Sequence, residues 1–230
     1  DGCTFSGKKD GLVNIGGFLA LNDEAWAQAC RNLLVLTEGF PTYGGLAARD
    51  MDALAVGLQE VLSETYLEQR IEQVAFLANR LARTGIPVLT PPGGHAVYVL
   101  ANKLLPHIPV HEFPGQALVC ELYLEGGVRA CEIGTVMFGK SRPDGSQENA
   151  VQELVRLAIP RRSLSHAHLE YVGETFERLL ERRDSIGGLK LVYEPKYLRH
   201  FTARFEPLPP GVRTSVPSPA DPVVASAHGT

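Results

Sequence analysis

Two adjacent lysines near the start of the chain are the residues best suited to chemistry. Lys8 and Lys9 lie in the polar turn S-G-K-K-D at 6–10, and the apolar run L-V-N-I-G-G-F-L follows at 12–19. A lysine held in a tight turn beside a buried strand loses part of its charge by desolvation, and an uncharged amine can form a Schiff base with a carbonyl group. Two solvated lysines are the commoner interpretation of the local pattern alone.

The same turn fits a phosphate-binding loop at every position but one. The segment G-C-T-F-S-G-K-K at 2–9 matches G-x-x-x-x-G-K-[S/T], except that Lys9 occupies the place of the magnesium-binding hydroxyl. Such a loop opens a helix, whereas residues 12–19 contain Val, Ile, Phe and two glycines and are predicted to be extended. The pattern therefore argues against a nucleotide binder.

Arg156 is a further candidate for a binding role. In the predicted strand 154–159 the larger apolar side chains share one face, and Arg156 falls on the other. A guanidinium group in such a strand needs an anionic partner, and its planar fork fits a carboxylate through two hydrogen bonds. The partner is either a substrate carboxylate or, in a structural ion pair, Glu153 or Glu132.

Composition limits the class of protein. The 230 residues are 44% hydrophobic and have a net charge of -4, which suits a globular chain with a real core. Dispersed Lys and Arg offer no basic face for nucleic acid, and no apolar stretch reaches the ~20 residues that a membrane span requires. The four cysteines lack C-x-x-C spacing, which is typical of reduced thiols in a cytoplasmic protein.

The predicted elements change in character along the chain. An extended segment at 12–20 and a helix from Asn22 to about residue 37 precede one long helix over 46–83, which Gly85 and Pro87 end. Strands then alternate with helices, which indicates an α/β or α+β lobe. The predicted strands are at 88–89, 96–100, 128–133, 154–159 and 189–193, the helices at 115–125 and 165–186, a hairpin at 142–147 and a terminal segment at 197–205.

A colinear set of motifs identifies the chain as resembling the tryptophanase and tyrosine phenol-lyase family. The resemblance covers nearly all of residues 1–206 and is far more specific than any one motif. The shared segments are D-G-C-T-F-S-G-K-K-D at 1–10, L-V-N-I-G-G-F at 12–18, E-G-F-P-T-Y-G-G-L at 38–46, R-D-M at 49–51, G-G-H-A at 93–96, K-L-L-P-H-I-P at 103–109, F-P at 113–114, Q-A-L at 116–118, C-E-L-Y at 120–123, R-L at 156–157, I-P-R at 159–161 and Y-E-P-K at 193–196.

The resemblance implies an α/β fold, that of a fold-type-I, aspartate aminotransferase-like enzyme that depends on pyridoxal 5'-phosphate. Residues 1–45 would then end the large cofactor domain, 46–85 would form a long inter-domain helix, and 86–206 the small C-terminal α+β domain. Residues 207–230, rich in proline, are predicted to be a disordered tail. Relative to the family the chain resembles a C-terminal portion, and we expect it to be inactive alone.

The resemblance also implies roles for individual residues. Lys9 would hold pyridoxal phosphate and move protons at the substrate Cα, Ser6 would bind the cofactor phosphate, and Lys8 would be an electrostatic neighbour. Arg156 would bind the α-carboxylate of a small amino-acid substrate. The backbone carbonyl of Asn14 would be a ligand of an activating monovalent cation, potassium. The family forms homotetramers, so we expect a homotetramer here, and the cysteine pattern predicts a cytoplasmic location.

Two positions favour tryptophan over tyrosine as substrate. Ile133 stands where the phenol-lyases have an arginine for the phenol hydroxyl, and His200 stands where they have phenylalanine. The alternative roles are strand core for Ile133 and an ordinary surface histidine for His200. The predicted reaction is α,β-elimination of L-tryptophan to indole, pyruvate and ammonia. Tyrosine phenol-lyase, a broader lyase of cysteine or serine derivatives, and a scaffold or oligomerisation piece are the alternatives.

Overall fold

A computed structural model describes residues 1–144 and 146–211. The described chain forms two compact units with mixed α/β structure. The first comprises Asp1–Glu72 and Pro160–Ser163, and the second comprises Gln73–Ile159 and the residues from Leu164 onward. Most of the predicted tail, 212–230, lies outside the described residues.

The elements follow one another as nine strands and eight helices within the described residues. In chain order they are β1 (Gly2–Ser6), β2 (Gly17–Leu21), α1 (Glu24–Thr37), α2 (Ala48–Glu60), α3 (Glu64–Arg83), β3 (Ala96–Leu100), α4 (Ala101–Leu104), α5 (Pro114–Gly126), β4 (Cys131–Ile133), α6 (Thr135–Phe138), β5 (Lys140–Ser141), β6 (Gln147–Glu148), β7 (Leu154–Ala158), α7 (His166–Glu181), β8 (Leu189–Tyr193), α8 (Arg199–Thr202) and β9 (Arg204–Pro207).

The first unit begins with an antiparallel hairpin that the sequence analysis did not predict. Strands β1 and β2 pair from Gly2 opposite Leu21 to Ser6 opposite Gly17. Phe5 and Phe18 stack across the pair, with ring centroids 4.7 Å apart. The extended segment predicted over 12–20 therefore begins only at Gly17, because residues 7–15 form the turn that joins the two strands.

The prediction of one helix over 46–83 is wrong, because the structure has two helices there. Helix α2 ends at Glu60, and α3 begins at Glu64 after the turn at Val61–Ser63. Ser63 starts α3, since its carbonyl accepts the first hydrogen bond, from Leu67 N–H. Serine is weak inside a helix because its hydroxyl competes for backbone groups, and it is favoured at a helix start.

The boundaries of α1 also differ from the prediction. Its N-cap is Asp23 rather than Asn22, and the Asp23 carboxylate accepts a hydrogen bond from Trp26 N–H at 2.8 Å. This interaction satisfies one of the N–H groups that a helix leaves free at its start, which accounts for the position of the boundary.

An antiparallel sheet of three strands, in the order β3-β7-β4, forms the centre of the second unit. Tyr98 of β3 pairs with Arg156 of β7, which pairs on its other side with Cys131 of β4. The predicted strands 96–100, 154–159 and 189–193 are confirmed, whereas the strand predicted over 128–133 is reduced to β4.

The core of the second unit is formed by this sheet and by helices α3, α5 and α7. Its fully buried side chains include Leu77, Leu81, Leu118, Val155 and Phe176. The helix predicted over 115–125 is confirmed as α5. The helix predicted over 165–186 ends earlier, at Glu181, and a short 3-10 turn at Arg183–Ser185 follows it.

Candidate active site

The lysine segment folds as a tight turn that brings Lys9 and Ser6 together. Nζ of Lys9 lies 3.4 Å from Oγ of Ser6. The N–H groups of Lys9 and Asp10 both donate to the Ser6 carbonyl, at 3.0 and 2.7 Å. The Asp10 carboxylate in turn accepts a hydrogen bond from Ser6 N–H at 3.1 Å. The predicted cofactor lysine and the predicted phosphate-binding hydroxyl are therefore neighbours on one turn.

The buried strand that was expected to desolvate Lys9 is not observed in the described chain. Lys8 and Lys9 are both exposed, and Phe18 and Leu19 of β2 keep 45% and 48% of their surface accessible. The prediction failed because the apolar run at 12–19 is divided between a turn and a short hairpin strand. In this chain the amine of Lys9 is accessible, and what distinguishes it is its position beside Ser6.

Arg161 supports the lysine turn from a distant part of the sequence. Its guanidinium group donates to the carbonyl of Gly7 at 3.1 Å and to that of Val13 at 2.5 Å. Gly7 is buried so closely that a Cβ added there would lie 2.6 Å from the Val13 side chain. Asn14, the predicted cation ligand, is exposed and directly follows Val13. The sequence analysis included Arg161 only in the shared motif I-P-R at 159–161. Its contact with residues 7–13 was not predicted, because the two segments are far apart in the sequence.

Arg156 and Ile133 lie on the same face of the sheet. Arg156 is directly opposite Cys131, and Ile133 is two residues further along β4, opposite Leu154. Directly paired residues, and residues two apart on one strand, point to the same side. Tyr98, the partner of Arg156 on β3, shares this face and was not predicted as a site residue. The opposite face is buried at Val155 and its alternate neighbours, as predicted.

The structural ion pair considered for Arg156 does not occur among the described residues. Its Nε is buried and has no hydrogen-bond partner within residues 1–144 and 146–211. The Glu153 carboxylate accepts instead from the N–H and hydroxyl groups of Thr135. The Glu132 carboxylate accepts from backbone N–H groups of α6. A buried donor without a partner is costly, so the geometry favours an anion supplied from outside these residues.

Glu132 and Glu153 form a buried carboxylate pair behind this face. They are 5% and 2% exposed, and a Cβ added to Gly134 would lie 2.7 Å from an oxygen of each. Burial, and then the charge of Glu153, raises the pKa of Glu132 to about 7. Burial likewise raises the pKa of Glu153. The sequence analysis considered Glu132 and Glu153 only as possible partners of Arg156, so this pair was not predicted.

His200 lies in α8, directly after a buried arginine. Arg199 is 5% exposed and binds the carbonyls of Thr135 and Val136 in α6. His200 is half-buried, and its ring lies 4.1 Å from that of Phe201, measured between centroids. Ile133 is also half-buried. Ile133 is therefore not fully buried in the core, and His200 is not fully exposed on the surface.

The predicted site residues fall into two groups, one in each unit. Lys9, Ser6, Lys8 and Asn14 belong to the first unit, and Ser6 and Lys9 are in contact there. Arg156, Ile133 and His200 belong to the second, where Arg156 and Ile133 share a face.

Two other kinds of feature are not found among residues 1–144 and 146–211. Within the described residues no group of three or more His, Cys, Asp or Glu side chains could hold a metal ion. No helix in the described part of the chain has the length and apolar character to cross a membrane.

The chain belongs to the beta-eliminating lyase family, whose model matches residues 1–175. It is 56% identical over 210 residues to a tryptophanase of Salinibacter ruber, covering 91% of this chain and 44% of that protein. A tryptophanase of Hyphomonas neptunium is 54% identical over 208 residues, covering 90% and 46%. A tyrosine phenol-lyase of Pasteurella multocida is 52% identical over 207 residues, covering 90% and 45%.

These comparisons confirm the resemblance on which the site assignments were based. Relatives of both names match at similar identity, so they do not separate tryptophan from tyrosine as substrate. The chain spans a little under half the length of these relatives.

Proposed function

We propose that this chain provides the cofactor lysine and the substrate-binding arginine of a pyridoxal phosphate-dependent lyase that cleaves L-tryptophan to indole, pyruvate and ammonia. The observation that carries the proposal is Arg156. It has a buried Nε without a partner among the described residues, and it shares a sheet face with Ile133, in a member of the beta-eliminating lyase family. A carboxylate would satisfy this group through charge-assisted hydrogen bonds.

The lysine turn fits the carbonyl cofactor. Lys9 offers an accessible amine, and the Ser6 hydroxyl 3.4 Å away is a donor for a phosphate oxygen. Lys8 adds a second positive charge on the same turn. When bound, pyridoxal phosphate supplies an electron sink for negative charge at the substrate Cα. Residues 7–15 lead into strand β2 rather than into the helix that a nucleotide-binding loop opens.

The chain's own residues then divide the remaining tasks. Arg156 would orient the substrate by its α-carboxylate, and the amine of Lys9 would move the proton at Cα. Ile133 and His200 would border the leaving group. An apolar wall at Ile133 leaves a buried phenol hydroxyl without a partner, which costs about 1–3 kcal/mol, whereas indole has no such hydroxyl.

The further features of the proposal come from the family resemblance. They are the fold-type-I architecture with its large and small domains, a potassium ion bound in part by the Asn14 carbonyl, and a homotetramer. The cytoplasmic location is instead inferred from the spacing of the four cysteines. Asn14 adjoins Val13, whose carbonyl Arg161 holds in place, so the backbone at this point has a defined conformation. Tyrosine phenol-lyase, or a broader lyase of cysteine derivatives, is the alternative within the same chemistry.

Substrate competition on the complete protein tests the proposal. We expect kcat/KM for tryptophan to exceed that for tyrosine, and we expect the double substitution Ile133→Arg, His200→Phe to shift the ratio toward tyrosine by about one to two decades. S-alkylcysteine, with a small leaving group, is the reference substrate. A preference of the unaltered protein for tyrosine would replace tryptophanase by the alternative, and loss of all three activities alike would separate these residues from leaving-group recognition.

A further inference from the structure

Arg199 is bound by acceptors from three separate segments, although it lies in a helix of one turn. Its Nε donates to the Val136 carbonyl at 3.1 Å, and one terminal nitrogen donates to the carbonyl of Thr135. The other terminal nitrogen donates to Glu194 at 3.0 Å and to Gln147 at 3.3 Å. A buried guanidinium group in which all three nitrogens donate hydrogen bonds fixes the relative positions of the segments that it joins.

This arginine connects α8, which carries His200, with α6, which directly follows the strand of Ile133. Helix α6 begins at Thr135, two residues after Ile133, and the carbonyls that Arg199 binds belong to its first turn. His200 is the next residue after Arg199. The Arg199 side chain therefore links the helix of His200 to the helix that begins two residues after Ile133.

Helix α8 lies in the connection between the paired strands β8 and β9, and Arg199 is the anchor of the helix itself. Arg199 is the one buried residue of this helix, all of which the structure describes. Leu198 and Phe201, on either side, are 66% and 72% exposed. Apolar burial normally positions a short helix, and here a polar contact takes its place. Since α8 is anchored by Arg199, the position of His200 depends on the same contact.

Helix α6 is also held through its backbone N–H groups, which do not involve Arg199. Glu132 accepts hydrogen bonds from the N–H groups of Val136 and Met137, at 3.0 and 3.1 Å. Glu153 accepts from Thr135 N–H at 2.9 Å. Loss of Arg199 would therefore leave α6 and Ile133 in place, while α8 and His200 would lose their contact with α6 and be held only through the flanking strands β8 and β9.

We propose that Arg199 is a positioning residue for leaving-group specificity, which sets His200 relative to Ile133 without touching the substrate. The inference rests on the proposed function, since it assumes that these two residues border the leaving group. Recognition of the substrate carboxylate by Arg156 would not depend on it, because Arg156 lies in β7 and its position is set by strand pairing on both sides.

The test compares Arg199→Lys and Glu194→Gln in the complete holoenzyme, with Arg182→Lys as a matched control. Lysine keeps the charge of Arg199 but cannot reach all of its acceptors, and Glu194→Gln weakens one contact without altering α6. Arg182 pairs with Glu121 and Glu125, away from α6 and α8, and undergoes the same chemical change. The readouts are kcat/KM for tryptophan and for S-alkylcysteine, equilibrium binding of L-alanine, and hydrogen exchange of the amides of residues 197–203.

We expect Arg199→Lys to lower kcat/KM for tryptophan at least tenfold, to change that for S-alkylcysteine less than threefold, and to leave alanine binding unchanged. Amide exchange over 197–203 should rise at least tenfold, with a smaller rise in Glu194→Gln and none in Arg182→Lys. Equal losses for both substrates, or unchanged exchange at 197–203, would overturn the positioning role.

Failure of the proposed function gives a different pattern. In that case the unaltered enzyme itself would not prefer tryptophan. The exchange experiment would still report whether Arg199 anchors α8.

Discussion

Lys9 and Ser6 lie on the same side of one tight turn, with the amine nitrogen 3.4 Å from the hydroxyl oxygen. The arrangement follows from their separation by three residues, because the N–H groups of Lys9 and Asp10 both converge on the Ser6 carbonyl. One cofactor molecule would present its carbonyl group to the amine and its phosphate to the hydroxyl. The two protein groups must therefore be held at a fixed distance from each other. The spacing also distinguishes Lys9 from Lys8, which follows Ser6 by only two residues.

The first prediction concerns which lysine holds the cofactor. Borohydride reduction of the complete holoenzyme, followed by peptide mapping, should place the label on Lys9 rather than Lys8. Lys9→Ala should lose the label and at least about three decades of kcat, since the residue both attaches the cofactor and moves the proton. Lys8→Ala is the control and should keep the label. Label found on Lys8 alone would contradict the assignment.

The second prediction concerns Arg161, which holds the lysine turn through the carbonyls of Gly7 and Val13. Arg161→Lys cannot make both contacts in the same geometry, and each lost charge-assisted hydrogen bond costs roughly 1.5–3 kcal/mol. We expect the dissociation constant for pyridoxal phosphate to rise about tenfold or more, as measured by absorbance titration of the apoenzyme.

Arg162→Lys is the matched control for this experiment. Arg162 is exposed, and its guanidinium group lies 5.4 Å from the ring of Tyr66, so its replacement should alter cofactor affinity little. An equal effect of both substitutions would mean that the segment as a whole, rather than the contacts to Gly7 and Val13, influences the cofactor.

The third prediction concerns the substrate carboxylate. Arg156→Gln removes the charge of a group whose Nε is buried and unpartnered among the described residues. We expect kcat/KM to fall by about two decades, mainly through KM, because a charge-assisted pair of hydrogen bonds contributes roughly 1.5–3 kcal/mol. Arg156→Lys should recover part of the loss. An unchanged KM in both variants would return Arg156 to a structural role.

Local patterns were sufficient to predict much of the second unit. The alternation around Arg156 predicted β7 and its buried face, and the helix predicted over 115–125 is α5. The break at Ser63 was missed because the helical spacing of apolar residues continues through it, with Leu62 in the turn itself, while one serine is enough to start a new helix. Periodicity therefore indicated the type of these elements better than their ends.

The contacts that organise the site could not be predicted, for a different reason. Arg199 binds carbonyl groups 63 and 64 residues away, and Arg161 binds others 148 and 154 residues away. Every residue has a carbonyl, so such a bond leaves no trace in the types of the acceptor residues. The pair Glu132 and Glu153 has the same character, because its partners are backbone N–H groups and a hydroxyl of α6.

The last prediction concerns the pH dependence of stability, which Glu132 should dominate in the near-neutral range. Its carboxylate is buried beside Glu153, and burial is the main cause that raises its pKa from 4.5 to about 7. Between these values the folded state holds a proton that the unfolded state has lost. The contribution of Glu132 to the free energy of unfolding should therefore be largest below about pH 4.5. It should decrease as the pH rises toward 7, by up to about 3 kcal/mol.

Glu132→Gln should remove this contribution. The glutamine keeps the shape and an acceptor oxygen for one of the two N–H groups, those of Val136 and Met137, which donate to different oxygens of Glu132, and it does not titrate. Denaturant unfolding of the complete apoprotein at intervals from pH 5 to 8 should show a slope for the unaltered protein that is flattened in the variant, whatever the constant offset between them. Glu148→Gln, at a partly exposed glutamate that pairs with Lys140, serves as the control and should run parallel to the unaltered protein. Parallel curves for Glu132→Gln as well would show that Glu132 takes up or releases no proton on unfolding in this range, which would contradict the prediction.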